Sequence, residues 1–247
     1  MGLVAMRRTS LRKAHRWLGL IFSLSIFASA GSGILHNVMT HTQSPPPAAR
    51  PTGETLAANK MTVPVAEAIA KVPDDAVQAV NVRSIRGEPW YQILTNGDGP
   101  PTYVSAVDGR IDPLEDERYA EQIASAFLGG ATVRKAGYLT AFNNEYLNIF
   151  RVLPVYRFNA EDAWGTRLYV STLTGSVTRH TDNRRQFEAN VFTNLHKLGF
   201  IPNKTVRDVV LTSLTFGVFL VAGLGIVLFV ATSSLWRRTN STKDDDP

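Results

Sequence analysis

Two uncharged apolar runs, one near each end of the chain, constrain this sequence more than any other feature. The first is WLGLIFSLSIFASAGSGIL at residues 17–35, and the second is VVLTSLTFGVFLVAGLGIVLFV at residues 209–230. As a helix the first would reach about 28 Å at 1.5 Å per residue, close to the hydrocarbon thickness of a bilayer, and the second is longer. Arg7, Arg8, Arg12, Lys13 and Arg16 precede the first run, while Arg237, Arg238 and Lys243 follow the second. Trp17 and Trp236 stand at the outer edges, where interfacial aromatics are favoured. A chain that crosses twice brings both basic flanks to one side, which the positive-inside rule makes the cytoplasm. The expected setting is a bacterial inner membrane, with both termini cytoplasmic and residues 37–207 periplasmic. Those residues carry 18 basic and 17 acidic groups, so the net charge of +5 arises mainly from the flanks of the runs. A nucleic-acid binder would concentrate its charge on the folded domain, and that class is set aside. A cleaved signal peptide is the competing reading of the N-terminus, since Ala28-Ser29-Ala30 offers a cleavage site, although the apolar run continues past it to Leu35.

Between the runs the chain reads as a basic N-terminus (1–16), a first span (17–36), an extended linker (37–62), two small folded units (63–116 and 117–183), a connector (184–208), a second span (209–236) and a tail (237–247). Pro45-Pro46-Pro47, Pro51 and Gly53 mark the linker. Val63–Val72 opens with Pro64 and has apolar residues at helical spacing. Alternating runs at Val77–Ile85, Trp90–Leu94 and Thr102–Val107 predict strands, with turns at Asn96-Gly97 and Asp108-Gly109. The order then repeats, with a helix at Tyr119–Leu128 and strands at Thr132–Ala136, Ile149–Phe158 and Thr166–Ser171. The endings YVSAVDGRI (103–111) and YVSTLTGSV (169–177) are alike, as an internal duplication would make them. Each half is expected to bury one face of an antiparallel sheet under its own helix. In residues 184–199, Phe187, Val191, Leu195 and Leu198 share a helical face beside Arg184, Arg185 and Lys197. That pattern suits an interfacial helix on the outer leaflet or an ordinary domain helix.

Four pieces of this chain, in this order, resemble PepSY-associated transmembrane proteins: RKAHRWLGL entering the first span, the paired helix-then-sheet units, LPVYRF…WGTRLYVSTLTG (153–175), and NLHKLGF before the last span. The resemblance covers nearly the whole chain. It implies an α+β membrane protein with two transmembrane helices enclosing a periplasmic domain of two tandem PepSY-like helix-plus-antiparallel-sheet units. Some members of that family are haem-containing inner-membrane reductases acting on ferric siderophores in iron uptake. Larger members carry four spans, so a two-span chain would build a comparable core as a homodimer. PepSY units without haem also occur as peptidase-inhibitory modules, which makes a membrane-tethered, non-enzymatic binding module the alternative function.

Three of the five histidines sit where such a cofactor would need them. His15 lies two residues before the first span, His36 ends it, and His196 lies ahead of the second span. A bis-histidine haem b needs two imidazoles facing each other across the macrocycle, with small residues nearby. Ser25, Ser29, Ser32 and His36 share one helix face, and Ser25, Ser29 and Gly33 form a small-residue stripe. His15 and His36 are about 60° apart around the helix at 100° per residue. Each feature also has a plain explanation: His15 as an interfacial cation beside Arg16, His36 as a snorkelling side chain, His196 as a structural histidine, and the stripe as helix packing. His41 is a spare candidate in a loop and His180 a surface residue. With no histidine in the second span or tail, a bis-histidine haem at the cytoplasmic side would take His15 from two protomers.

No Cys is present, which removes disulfides, thiolate metal sites and cysteine nucleophiles. No nucleophile elbow, HExxH, P-loop or dinucleotide fingerprint occurs. Asp74-Asp75 and Glu115–Glu117 read as turn and helix-start acids, and Asp244–Asp246 as a solvated tail. Electrons for a reductase would therefore come from a quinol or a partner protein, and the acceptor would be a ferric siderophore or another ferric chelate. Arg151, Arg157, Arg167, Arg179, Arg184 and Arg185 can draw in an anionic ferric complex, or serve as sheet-surface and headgroup-facing residues paired with acids. Asn143, Asn144 and Glu145 form a loop that can reach a ligand.

Overall fold

A computed structural model describes residues 2–43, 54–73, 77–96 and 99–233, with side chains from Thr9 onward. The linker prolines, Asp74-Asp75, Gly97 of the first turn, Trp236 and the charged tail lie outside the described residues. The chain divides into two compact units, Met1–Ser44 with Phe187–Pro247, and Pro45–Gln186. The protein is α+β, with two helices long and apolar enough to cross a membrane and two small antiparallel sheets.

In the helical unit, α1 (Gly2–Thr42) pairs with α5 (Lys204–Thr232). The seam is narrow and made by small residues. A Cβ placed on Gly217 would lie 2.1 Å from the Phe22 ring, and one on Gly225 would lie 3.2 Å from the His15 ring. Gly19 faces Val221 between them. Numbers rise along one helix as they fall along the other, so the helices run antiparallel. Outside the seam the surface is apolar and exposed, with Leu24, Phe27, Phe219 and Phe229 all above 70%. A surface of that kind suits hydrocarbon, where small residues let helix backbones approach closely. Asn203 caps α5, its Oδ1 accepting from the Val206 N–H at 3.1 Å.

The second unit holds α2 (Val65–Ile69), a sheet of β1 (Val77–Ile85), β2 (Glu88–Thr95) and β3 (Thr102–Ser105), then α3 (Glu115–Phe127) and a sheet of β4 (Val133–Leu139), β5 (Val155–Ala160), β6 (Arg167–Ser171) and β7 (Ser176–Thr181). The first helix is shorter than the sequence pattern predicts, because Pro73 disfavours helix at the residue before it. The strand expected from Ile149 begins at Val155, after Pro154, which has no N–H to give a ladder. Residues 148–150 form a 3₁₀ turn instead.

The two halves do not bury their sheets separately. Tyr119, Ala120, Ile123 and Ala124 of α3 pack with Ile85, Trp90 and Tyr103 of the first sheet and with Tyr156, Phe158 and Leu168 of the second. The five-residue α2 covers only a smaller cluster around Tyr91, Ile93 and Val104. One helix thus serves both sheets, correcting the expectation of one helix for each. The repeated YVS segments occupy matching places: Ser105 and Ser171 are fully buried, and their hydroxyls accept turn N–H groups from Val107 and Thr174. Gly109 and Gly175 close the two turns at φ 73° and 64°, a region that costs other residues strain.

Beneath α3, the Tyr103 hydroxyl donates to Asp116 Oδ1 at 2.8 Å and accepts from Gln92 Nε2 at 2.7 Å. Asp116 is 2% exposed, and its Oδ2 has no hydrogen-bond partner among the described residues. Burial pushes its carboxyl above the ordinary 3.8. The folded chain therefore holds a proton that the unfolded chain releases. The stability this supplies is complete below the unfolded value and is lost as pH rises through the folded one. Asp116→Asn keeps an acceptor for Tyr103 and removes the ionisation. It is expected to raise stability at neutral pH by about 1–3 kcal/mol, the scale of an unsatisfied buried group. The gain should vanish toward acid pH, as thermal melts followed by circular dichroism will read. Gly217→Val should lower the melting temperature by forcing Phe22 off the seam, at about 1–3 kcal/mol.

Candidate functional site

The helical unit gathers its polar side chains at the two ends of the α1–α5 pair. At one end, α4 (Asn183–Val191) runs into a π-helical turn at Phe192–His196, a wide turn that recurs at functional sites. The chain leaves it through Leu198 at φ 49°, and the Gly199 N–H donates to the Thr193 carbonyl at 2.8 Å. A Cβ on Gly199 would lie 2.5 Å from Thr193 Cγ2, so only glycine fits this reversal.

Three residues spaced by four, Glu188, Phe192 and His196, face α1. His36 Nδ1 lies 2.6 Å from Glu188 Oε1, and Gln43 Nε2 donates to Glu188 Oε2 at 3.1 Å. An ionised carboxylate only accepts, which assigns the His36 proton to Nδ1 and, in the neutral ring, the lone pair to Nε2. His196 Nδ1 is 3.3 Å from the Ser29 carbonyl and from the Ser29 and Ser32 hydroxyls. The carbonyl can only accept, so it bonds the Nδ1–H tautomer, which leaves Nε2 as the electron-pair donor, whereas the two hydroxyls can accept from or donate to Nδ1. Ser32 is buried there, so this part of the small-residue stripe seats an imidazole.

The structure therefore brings His36 and His196 together within one chain. Phe192 lies against both, its centroid 5.1 Å from the His36 ring and 4.5 Å from the His196 ring. Phe192, rather than open space, is what the two imidazoles share. His15 lies 21 positions before His36 on the same helix, about 32 Å away along the axis at 1.5 Å per residue. Its ring rests on Gly225, and its Nδ1 is buried with no hydrogen-bond partner among the described residues. Two of the three histidines thus have Nδ1 in polar contact and the third has a buried ring nitrogen without a partner among the described residues, while Phe192 packs against the rings of both His36 and His196. No group of three or more His, Asp or Glu able to hold a bare metal ion occurs among the described residues.

Several expectations change. His41 lies within α1 and not in a loop. His180 is not a surface residue: it sits half-buried in β7 against Phe127, and burial holds it below the usual histidine value. The apolar face expected from Phe187 and Leu195 is 57% and 47% exposed, and the face one residue further on meets α1. Glu188 was missed for that reason, although its spacing with Phe192 and His196 was legible. Asn143 and Glu145 are structural. Asn143 Oδ1 accepts the Glu145 and Tyr146 N–H groups, and Glu145 accepts from Arg167 at 2.9 Å and Tyr169 at 2.6 Å. Among the arginines, Arg185 pairs with Asp182 and Arg179 stacks on Phe150.

The second unit has an open cleft of about 630 Å³, lined by Leu94, Thr95, Pro101, Thr140, Leu153 and Leu173 among others. It draws on β1 and β2 of the first sheet and on loops of both sheets, and no sequence motif marks it.

In comparison with known proteins, no family model, no curated protein and no solved structure matches this chain.

Removing the Glu188 carboxylate should release the His36 tautomer. In Glu188→Ala, ring ¹⁵N shifts of His36 are expected to move from the Nδ1–H form toward the Nε2–H form that predominates in free imidazoles. An unchanged shift would show that Glu188 does not set it.

Proposed function

We propose that this protein is a haem-dependent ferric reductase of a bacterial inner membrane, acting in iron uptake as a homodimer. One observation carries this reading: histidines stand at both ends of an apolar helix pair, and the two at one end have Nδ1 held so that Nε2 is left to bind iron. Haem, when bound, supplies a one-electron carrier suited to a low-dielectric helix bundle. His36 and His196 would hold it at the periplasmic end, which requires the Phe192 ring to leave its place against both imidazoles, and His15 from each of two protomers would hold it at the cytoplasmic end. Glu188 would keep the proton on His36 Nδ1, the Ser29 carbonyl would accept from His196 in its Nδ1–H form, and Gly225 gives the His15 ring its room.

The cytoplasmic segments hold no dinucleotide or flavin fingerprint, so the donor would be a membrane quinol or a partner protein. Per quinol, two electrons reduce two Fe(III) to two Fe(II), and two protons are released. The acceptor would be a ferric siderophore or similar chelate at the periplasmic face, where the two PepSY-like units, residues 63–116 and 117–183, would shape access. The cleft in that unit favours a second reading, a PepSY-like module held at the membrane that binds or inhibits a periplasmic peptidase or assists a transporter.

The visible spectrum of the detergent-purified chain, expressed with ample haem and then reduced with dithionite, separates the two. A sharp Soret band with resolved reduced α and β bands is expected. His15→Ala, His36→Ala and His196→Ala should each remove part of that absorbance. A colourless protein that also fails to take up haemin would leave the tethered module as the function.

A further inference from the structure

In the second unit, the loop from Phe142 to Arg151 lies across the face of the β4–β7 sheet that α3 does not cover. Tyr146 stacks on Tyr169 with centroids 4.7 Å apart, and its hydroxyl donates to the Val152 carbonyl at 2.8 Å. With Tyr146 and Phe150 turned inward, Phe142, Leu147 and Ile149 face outward at 40%, 39% and 70% exposure. Trp164, in the β5–β6 turn, is 60% exposed beside the Arg184 guanidinium, 5.9 Å from its ring centroid. Arg151 and Arg184 are exposed and form no ion pair among the described residues.

Both segments are tied to one stretch of chain. Arg179 donates to the Glu145 carbonyl and, at 3.0 Å, to Gln186 Oε1. Arg167 joins Glu145 to Asn183, donating at 2.9 and 2.8 Å, and the Asn183 N–H donates to the Trp164 carbonyl at 3.1 Å. Residues 182–186 are where the chain leaves this unit for the helix pair. This surface therefore carries the unit's own connection to helices apolar enough to enter a bilayer. Tryptophan, large aliphatics and unpaired arginines form the residue set favoured where acyl chains meet phosphate.

We propose that Phe142, Leu147, Ile149 and Trp164, with Arg151 and Arg184, form a lipid-docking surface. The apolar side chains enter the headgroup region of an anionic phospholipid bilayer, and the two guanidiniums meet its phosphates. The proposal rests on the reading of α1 and α5 as membrane spans.

Because the chain has no Cys, a single introduced cysteine takes an environment-sensitive fluorophore uniquely. The full-length protein would be reconstituted into phosphatidylethanolamine–phosphatidylglycerol vesicles, labelled in turn at Ile149→Cys, Trp164→Cys, Arg86→Cys and Phe216→Cys. Spin labels near the headgroup should quench positions 149 and 164 several-fold more than position 86, in the β1–β2 turn. Arg151→Glu with Arg184→Glu should reduce that quenching. Position 216, on the exposed face of α5, should be quenched by labels deep in the acyl chains. Quenching at 216 without quenching at 149 and 164 overturns the docking surface alone. Failure at 216 overturns the membrane reading on which it rests. A blue shift at 149 without lipid quenching means that protein covers this face, and overturns the proposal too.

Discussion

A phenylalanine ring seated on a glycine holds the helical unit together. Because Gly217 has no side chain, Phe22 sits directly on the α5 backbone, and that approach fixes the register of everything along the pair. One turn away Gly19 meets Val221, and two turns away Gly225 receives the His15 ring. In hydrocarbon, apolar surfaces gain little by meeting each other, so close van der Waals contact of this kind must supply the association. The histidines at the two ends are placed by the seam between them. Shifting one helix along the other would move His15 from its glycine.

The second unit shows how a duplicated segment diverges in chemistry while keeping its geometry. Tyr103 and Tyr169 occupy the same place in the two YVS repeats, and each hydroxyl donates to a carboxylate, Asp116 in one and Glu145 in the other. Glu145 has Arg167 beside it, which helps hold its carboxyl below the ordinary value despite partial burial. Asp116 has Thr172, Tyr103 and Tyr156 around it, and burial drives it the other way. The same hydrogen bond therefore serves an acid shifted down on one side of the domain and an acid shifted up on the other.

Much of this was legible. The two apolar runs, six of the seven described strands and the repeat follow from uncharged length, alternation and recurring turn residues, all local signals, while β7 was not among the expected strands. The histidines at the helix ends were legible as positions, and Glu188, though at readable spacing from Phe192 and His196, was passed over for the apolar spacing of Phe187 and Leu195 beside it. The sharing of α3 between two sheets was hidden as well. An amphipathic pattern records that a face is buried, and is silent about how many partners bury it. Asp116 reads as one more acid in a charged helix start, and only the strands that converge on it reveal its burial.

The seam also fixes an order of events. Phe22 and Gly217 are separated by 195 positions, and the whole of the sheet-bearing unit lies between them. A ribosome adding about 5–20 residues per second reaches Gly217 about 10–40 s after Phe22. For all of that interval α1 exists without the partner its small residues were shaped to meet. Closing the clasp cannot begin until nearly the whole described chain has been made. Every nascent copy passes through a stage in which His15 and the serine face are uncovered.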